Sequence, residues 1–132
     1  MTTSGVLDTS VFIAHESGRA LDFSRLPDEV ATTVITVAEL NAGVLAAASA
    51  DTRAQRLATL DAVADLAALP VDEDAARLCA RMRVHLAETG RRVRINDLWI
   101  AAVAASRRLP VVTQAGDFDA LDGVAGLSVI RV

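Results

Sequence analysis

The chain of 132 residues contains no lysine and no tyrosine, and it has one cysteine, Cys79. Without lysine there is no Schiff-base chemistry and no phosphate-loop lysine. With aromatics at 3%, a base-stacking platform for single-stranded RNA is excluded. One thiol cannot form an internal disulfide framework. The net charge is −4, the wrong sign for a protein that coats nucleic acid through a basic surface. It leaves room for an enzyme that meets nucleic acid through a small basic patch. No apolar run reaches the length of a membrane span. The opening "MTTSGVLDTS" lacks the basic start and apolar stretch of a signal peptide. The expectation is a cytoplasmic protein.

What the chain does have is apolar bulk, at 52% of residues, enough for one sizeable core in a single domain over residues 1–132. Short apolar runs alternate with helical patterns. "GVLD" (5–8) reads as a buried strand and "TSVFIAHES" as a short helix. A small helix is expected around Arg19 to Leu26, stopped by Pro27. "EVATTVIT" (29–36) reads as a strand and "TVAELNAGVLAAASA" as a helix. "DTRAQRLATLDAVADLAAL" reads as an amphipathic helix burying Leu57, Leu60, Ala64 and Ala67. A short strand follows at "LPV", then a helix over "DEDAARLCARMRVHLAETG" with Gly90 as its stop. The remainder reads as an apolar helix "INDLWIAAVAASRRL", a strand "PVVT", a helical turn "DFDAL" and a strand "LSVIRV". Continuous apolar strands between helices predict a short parallel sheet covered on both faces, a three-layer α/β/α sandwich. Sites in such folds lie beyond the carboxyl ends of the strands.

Four acids fall at those ends. Asp8 ends the first strand, Glu39 lies in the first turn after the second, Asp97 opens the apolar helix, and Asp117 follows "PVVT". Each has an ordinary role open to it. Asp8 and Asp117 could cap the turns that follow them. Thr36 and Glu39 have the spacing of a capping box. Asn96 could be an N-cap, with Asp97 favoured by the helix dipole. Yet Asp8, Glu39 and Asp97 are embedded in "VLDTSVF", "ITVAEL" and "INDLWIAA", and caps usually sit near solvent. Carboxylates gathered at one half-buried spot repel one another and drive protonation unless a cation joins them. Oxygen donors with no thiolate or imidazole nearby suit Mg²⁺ or Mn²⁺. His15 and His85 lack ligand spacing. Mg²⁺ chemistry on such a site points to phosphodiesters.

The ordered set "LDTS", "TVAEL", "NDLWIAAVA" and "VVTQAGDFDAL" resembles the PIN-domain ribonucleases, above all the VapC-type toxins of VapBC toxin–antitoxin pairs. The resemblance runs from Val6 to Val132. It implies Mg²⁺ or Mn²⁺ held by Asp8, Glu39 and Asp97, with Asp117 as the fourth acid and Asp119 a weaker candidate. Ala115 and Gly116 stand where many relatives carry further polar residues. Thr9, Ser10, Thr113 and Asn96 match positions that support the carboxylates or a bound water. The resemblance also implies an RNA substrate, a homodimer and a cognate VapB-type antitoxin, for which "AGVLAAASA" and the helix after it offer a small, apolar surface. Arg91, Arg92 and Arg94, just before Asp97, would form a basic rim for RNA phosphates. Two rivals remain at this point. A haloacid-dehalogenase-type phosphatase would need a second aspartate where Ser10 stands, and a lysine. A catalytically impaired PIN-like module would bind RNA or a partner without cutting.

Overall fold

The computed structural model describes residues 1–132. Five strands form one parallel sheet in the order β3-β2-β1-β4-β5, with β1 Ser4–Leu7, β2 Glu29–Thr33, β3 Ala68–Leu69, β4 Val111–Thr113 and β5 Val129–Arg131. The helices are α1 Thr9–Glu16, α2 Val34–Leu45, α3 Ala50–Val63, α4 Glu73–Thr89 and α5 Ile95–Ser106. The chain grows outward from β1 through β2 to β3, then returns to lay β4 on the other side of β1. The strand order therefore reverses between β1 and β4, and a crevice opens beyond their carboxyl ends.

Alternation along the central strands divides the core. Val6 and Val111 face α4 and α5, where Met82, Ile100, Phe118 and Leu121 complete a cluster of 15 buried residues. Leu7 and Val112 face α1 and meet Val11 in a cluster of only three. Nearly every residue of α5 from Asp97 to Ala105 is buried. At Gly5 a Cβ would lie 2.8 Å from Pro27 Cγ, so this strand approaches its neighbour without a side chain.

The boundaries differ from the sequence expectations in instructive ways. β1 stops at Leu7, so Asp8 is the residue before α1 and not the last of the strand. β2 stops at Thr33, three residues before the end of "EVATTVIT", and the Thr33 hydroxyl accepts from the Thr36 amide and caps α2, which starts at Val34, two residues earlier than expected. The helix expected at 19–26 reduces to one 3-10 turn, Phe23–Arg25. α3 ends at Val63, and the strand expected at "LPV" forms at Ala68–Leu69 instead. α4 matches its reading: Asp72 caps it and Gly90 closes it at φ 65°, a conformation cheap only for glycine.

α3 overturns its predicted face. Leu57, Ala64 and Ala67 are exposed, and the side turned inward carries Thr52, Arg56, Thr59, Leu60 and Val63. Polar ties dock this helix: Arg56 Nη1 donates to Gly43 O at 2.6 Å, Thr59 Oγ1 to Glu16 Oε1 at 2.8 Å and Gln55 Nε2 to Glu16 O at 2.8 Å. Periodicity reading assumes that the apolar face goes in. Here the anchoring groups are hydrogen-bonding ones.

Candidate active site

Asp8, Glu39, Asp97 and Asp117 line one cavity of ≈ 350 Å³ at the switch point, together with Thr9, Ser10, Ile13, Arg19 and Arg94. Each reaches it by a different route. Asp8 leaves the end of β1 and is 3% exposed. Although it occupies the N-cap position of α1, its side chain makes no capping bond. Glu39 projects from the second turn of α2, because that helix begins at Val34, and the Thr36–Glu39 capping box does not form. Asp97 sits in the first turn of α5, whose N-cap is Arg94 and not Asn96. Asp117 comes from the loop after β4 and is half exposed.

The hydroxyls at the strand ends hold Asp8 on both sides. Ser10 Oγ donates to Asp8 Oδ1 at 2.7 Å, and Thr113 Oγ1 donates to Asp8 Oδ2 at 3.0 Å. Each hydroxyl is itself placed by a backbone amide, Ser10 by Gln114 N at 3.0 Å and Thr113 by Ala115 N at 3.1 Å. A hydroxyl has one proton. With both protons given to ionised Asp8, the 3.1 Å approach of Ser10 to Thr113 is a contact and not a third bond. A second relay serves Glu39: Thr9 Oγ1 donates to its Oε1 at 2.8 Å, so the hydroxyl of Thr36 is left to donate to Thr9 at 3.0 Å.

Asp97 has no such support. It is 8% exposed, and its Oδ2 is buried without a hydrogen-bond partner. Arg94 Nε stands 3.5 Å from that oxygen, an ion pair too long for a charge-assisted hydrogen bond. Arg94 also reaches Asp117 Oδ2, at 3.7 Å. Burial pushes the Asp8 carboxyl up to about 6, against the hydrogen bonds of Ser10 and Thr113 and with help from the charge of Asp97. Burial likewise raises Asp97, opposed by Arg94 and reinforced by Asp117 and Glu39. The charge of Asp97 thus acts on Asp8, and those of Asp117 and Glu39 act on Asp97.

This arrangement fits a hard divalent cation. The titratable lining is carboxylate and guanidinium only, with no histidine or cysteine, and a buried carboxylate oxygen lacks a hydrogen-bond partner. No three acidic side chains are already gathered as ligands of one ion. Mg²⁺ does not require that, since it is commonly bound through one or two carboxylates with waters filling the rest of its octahedron. Asp8 and Asp97, with Glu39 and Asp117 beside them, supply that donor set.

Of the supporting residues, Thr9, Ser10 and Thr113 stand where the sequence placed them. Asn96 does not: it is exposed and hydrogen-bonds to none of the acids, because the first turn of α5 turns it outward. Asp119 is also set aside, as it pairs with Arg131 at 3.7 Å outside the cavity. Arg91, Arg92 and Arg94 line an adjoining groove of ≈ 670 Å³ with Val93, Gly116, Asp117 and Ala120. Sequence reading missed Arg19 and Ile13 as cavity residues and Thr36 as the start of a relay. Thr36 could have been found, since "TVAEL" puts it one helical turn before Glu39. Arg19 follows the end of α1 and carries no spacing signal.

The model of the PIN domain family matches residues 5–124. Over 129 residues the chain is 72% identical to a protein named Ribonuclease VapC5 from Mycobacterium tuberculosis, covering 98% of this chain and 96% of that one. It is 43% identical over 104 residues to Ribonuclease VapC8 of the same species, covering 76% of this chain and 89% of that one. Among solved structures, a crystal structure of VapBC-5, a member of the VapBC family of toxin–antitoxin systems from M. tuberculosis, superimposes with a TM-score of 0.93 at 68% identity, covering 98% of this chain and 99% of that chain. The acids at the switch point, the sheet that places them and these likenesses together put the chain in the PIN-domain family, among its VapC members.

Proposed function

We propose that the chain, acting as one domain over residues 1–132, is an Mg²⁺- or Mn²⁺-dependent endoribonuclease and the toxin half of a toxin–antitoxin pair. The observation that carries this reading is that Asp97, whose buried Oδ2 has no hydrogen-bond partner, lines one cavity with Asp8, Glu39 and Asp117. A carboxylate oxygen is costly to bury without a partner, and a cation supplies one. The names of the relatives, ribonucleases of toxin–antitoxin systems, point the same way.

Asp8 and Asp97 would hold the ion, with Glu39 and Asp117 as further oxygen donors. When bound, the ion supplies acidification of a water and charge to offset the phosphodiester and its leaving oxygen. The protein does the rest by position. Ser10 and Thr113 fix both oxygens of Asp8, and Thr9 turns Glu39 inward. Arg91 and Arg92 line the groove beside the acids, where they would hold RNA phosphates next to a pocket that otherwise repels them. Attack by water would break the P–O3′ bond, leaving a 5′-phosphate and a 3′-hydroxyl. The partner would be a VapB-type antitoxin, and the toxin itself a homodimer. Leu45 on α2 is 83% exposed and Leu57 on α3 is 42% exposed. These exposed apolar side chains lie on α2 and on the helix that follows it, and an antitoxin would cover them.

Cleavage of structured RNA with and without Mg²⁺ or Mn²⁺ tests the reaction. Products with 5′-phosphate ends should form only with metal. Cleavage that continues in chelator overturns the reading. Growth tests the toxin role: expression without a partner should arrest cells, and Asp8→Ala, made at equal level, should relieve the arrest.

A further inference from the structure

Arg94 is the only side chain common to three cavities at this end of the molecule. It lines the acidic cavity, the ≈ 670 Å³ arginine groove, and a smaller space of ≈ 310 Å³ with Glu39, Ile95, Asn96 and Asp97. Its guanidinium lies between Asp97 and Asp117, at 3.5 Å and 3.7 Å. It therefore sits where positive charge is needed, yet at distances that leave Asp97 Oδ2 without a hydrogen bond. The side chain is 82% exposed, so nothing packs it in place. Exposed pairs of this kind are weak. As the N-cap residue of α5 it makes no side-chain capping bond, so the helix does not need it there.

We propose that Arg94 is a resident counter-ion of the acidic cavity, which a divalent ion displaces and which then serves the neighbouring groove as a phosphate ligand. This rests on the metal-dependent reading above. The same guanidinium cannot neutralise Asp97 and Asp117 and also grip a phosphate in the groove beside Arg91 and Arg92. A divalent ion removes its reason to stay with the acids and repels it toward the groove. Metal binding and phosphate binding then favour each other, and by linkage the coupling is equal in both directions.

The test is Mn²⁺ affinity of the full chain, measured by electron paramagnetic resonance on wild type, Arg94→Gln and Arg19→Gln. Arg19 lines the same acidic cavity but forms no ion pair with its acids, so its loss controls for the general effect of removing one charge. Arg94→Gln should bind Mn²⁺ roughly three- to tenfold more tightly, the scale of two weak ion pairs, and Arg19→Gln less than about twofold. The second measurement uses a 2′-O-methyl RNA strand, which is not cleaved. Mn²⁺ should strengthen its binding to wild type, and that gain should shrink in Arg94→Gln. Equal Mn²⁺ affinities for the two variants, or weaker binding by Arg94→Gln, overturn the exchange and leave the nuclease reading standing. Failure of wild type and both variants to bind Mn²⁺ overturns both.

Discussion

Asp8 and Asp97 line one cavity, and the fold treats them differently. Both oxygens of Asp8 receive hydroxyl protons from side chains that backbone amides hold in turn. Asp97 is nearly as buried, yet its Oδ2 has no hydrogen bond and only a loosely placed arginine for company. The Asp8 side is built on strand ends, where neighbouring residues of β1 and β4 lie in fixed register. The Asp97 side is the first turn of a helix, with solvent-facing residues before it. One side sets position and the other leaves a valence open. A site that must take up a ligand needs both: a carboxylate satisfied by the protein gives geometry, and one left unsatisfied gives affinity.

Removing the charge on the open side should do the most damage. Asp97→Asn keeps shape and volume while discarding the negative charge that the cation would meet. Metal-dependent RNA cleavage should fall by more than about 100-fold, beyond the range seen when only a supporting partner of a metal ligand is lost. Circular dichroism should be unchanged, because no hydrogen bond to Oδ2 is lost. Activity within about tenfold of wild type would mean that the open side is not where the ion binds.

Thr113→Val attacks the fixed side with a near-isosteric change. It removes the donor to Asp8 Oδ2 and the acceptor for Ala115 N. Mn²⁺ affinity and cleavage should fall by about 10–100-fold. Stability should drop by about 1–3 kcal/mol, the cost of a buried polar group left without its partner. Thr113→Ser keeps the hydroxyl and should retain most of both. An equal loss in Ser and Val variants would assign the role of Thr113 to packing.

The two sides also differ in how far the sequence revealed them. Asp8, Glu39 and Asp97 were legible because each stands in an apolar surrounding that a simple cap does not need, and a parallel sheet brings such strand ends to one edge. α4 was legible for a simpler reason: its helical run ends at Gly90, the stop that the sequence offers. α3 was not, because Arg56, Thr59 and Gln55 dock it through hydrogen bonds and its leucine at 57 faces out. Asn96 misled for a geometric reason. It is adjacent to Asp97 in sequence, but successive helical residues point about 100° apart, and only Asp97 turns inward. The double relay on Asp8 lies beyond local reading, since Ser10 and Thr113 are 103 residues apart.

Asp8 carries a further consequence of being buried, smaller than the loss at Thr113 and opposite in sign for stability. Its carboxyl is pushed up to about 6 from 3.8. The native metal-free protein therefore holds a proton that the unfolded chain has released, and stability falls as pH rises between those values. The cost is absent below the lower value and complete above the upper one. A shift of roughly two units corresponds to a ceiling of about 3 kcal/mol, reduced because the amide in Asp8→Asn satisfies Ser10 and Thr113 less well. In chelator at pH 8, Asp8→Asn should be more stable than wild type by about 1–2 kcal/mol, with the gain disappearing by about pH 4. Denaturant unfolding at the two pH values measures this. A variant that loses stability at pH 8 would show that the paired hydroxyls already offset the burial of the charge.

The mildest test asks whether nearness to the site is enough to matter. Asn96 neighbours Asp97 in sequence and shares a surface hollow with it and Glu39, yet it is exposed and hydrogen-bonds to neither. If the site works through the hydroxyl relays and the open oxygen of Asp97, Asn96→Ala should change Mn²⁺ affinity and cleavage by less than about twofold, the scale of an ordinary surface substitution. Ser10→Ala, equally close to an acid but donating to it at 2.7 Å, should cost about tenfold or more. A large loss from Asn96→Ala would instead mean that its amide turns inward once the ion binds, and Asp97 would then have a supporting partner of its own, as Asp8 does.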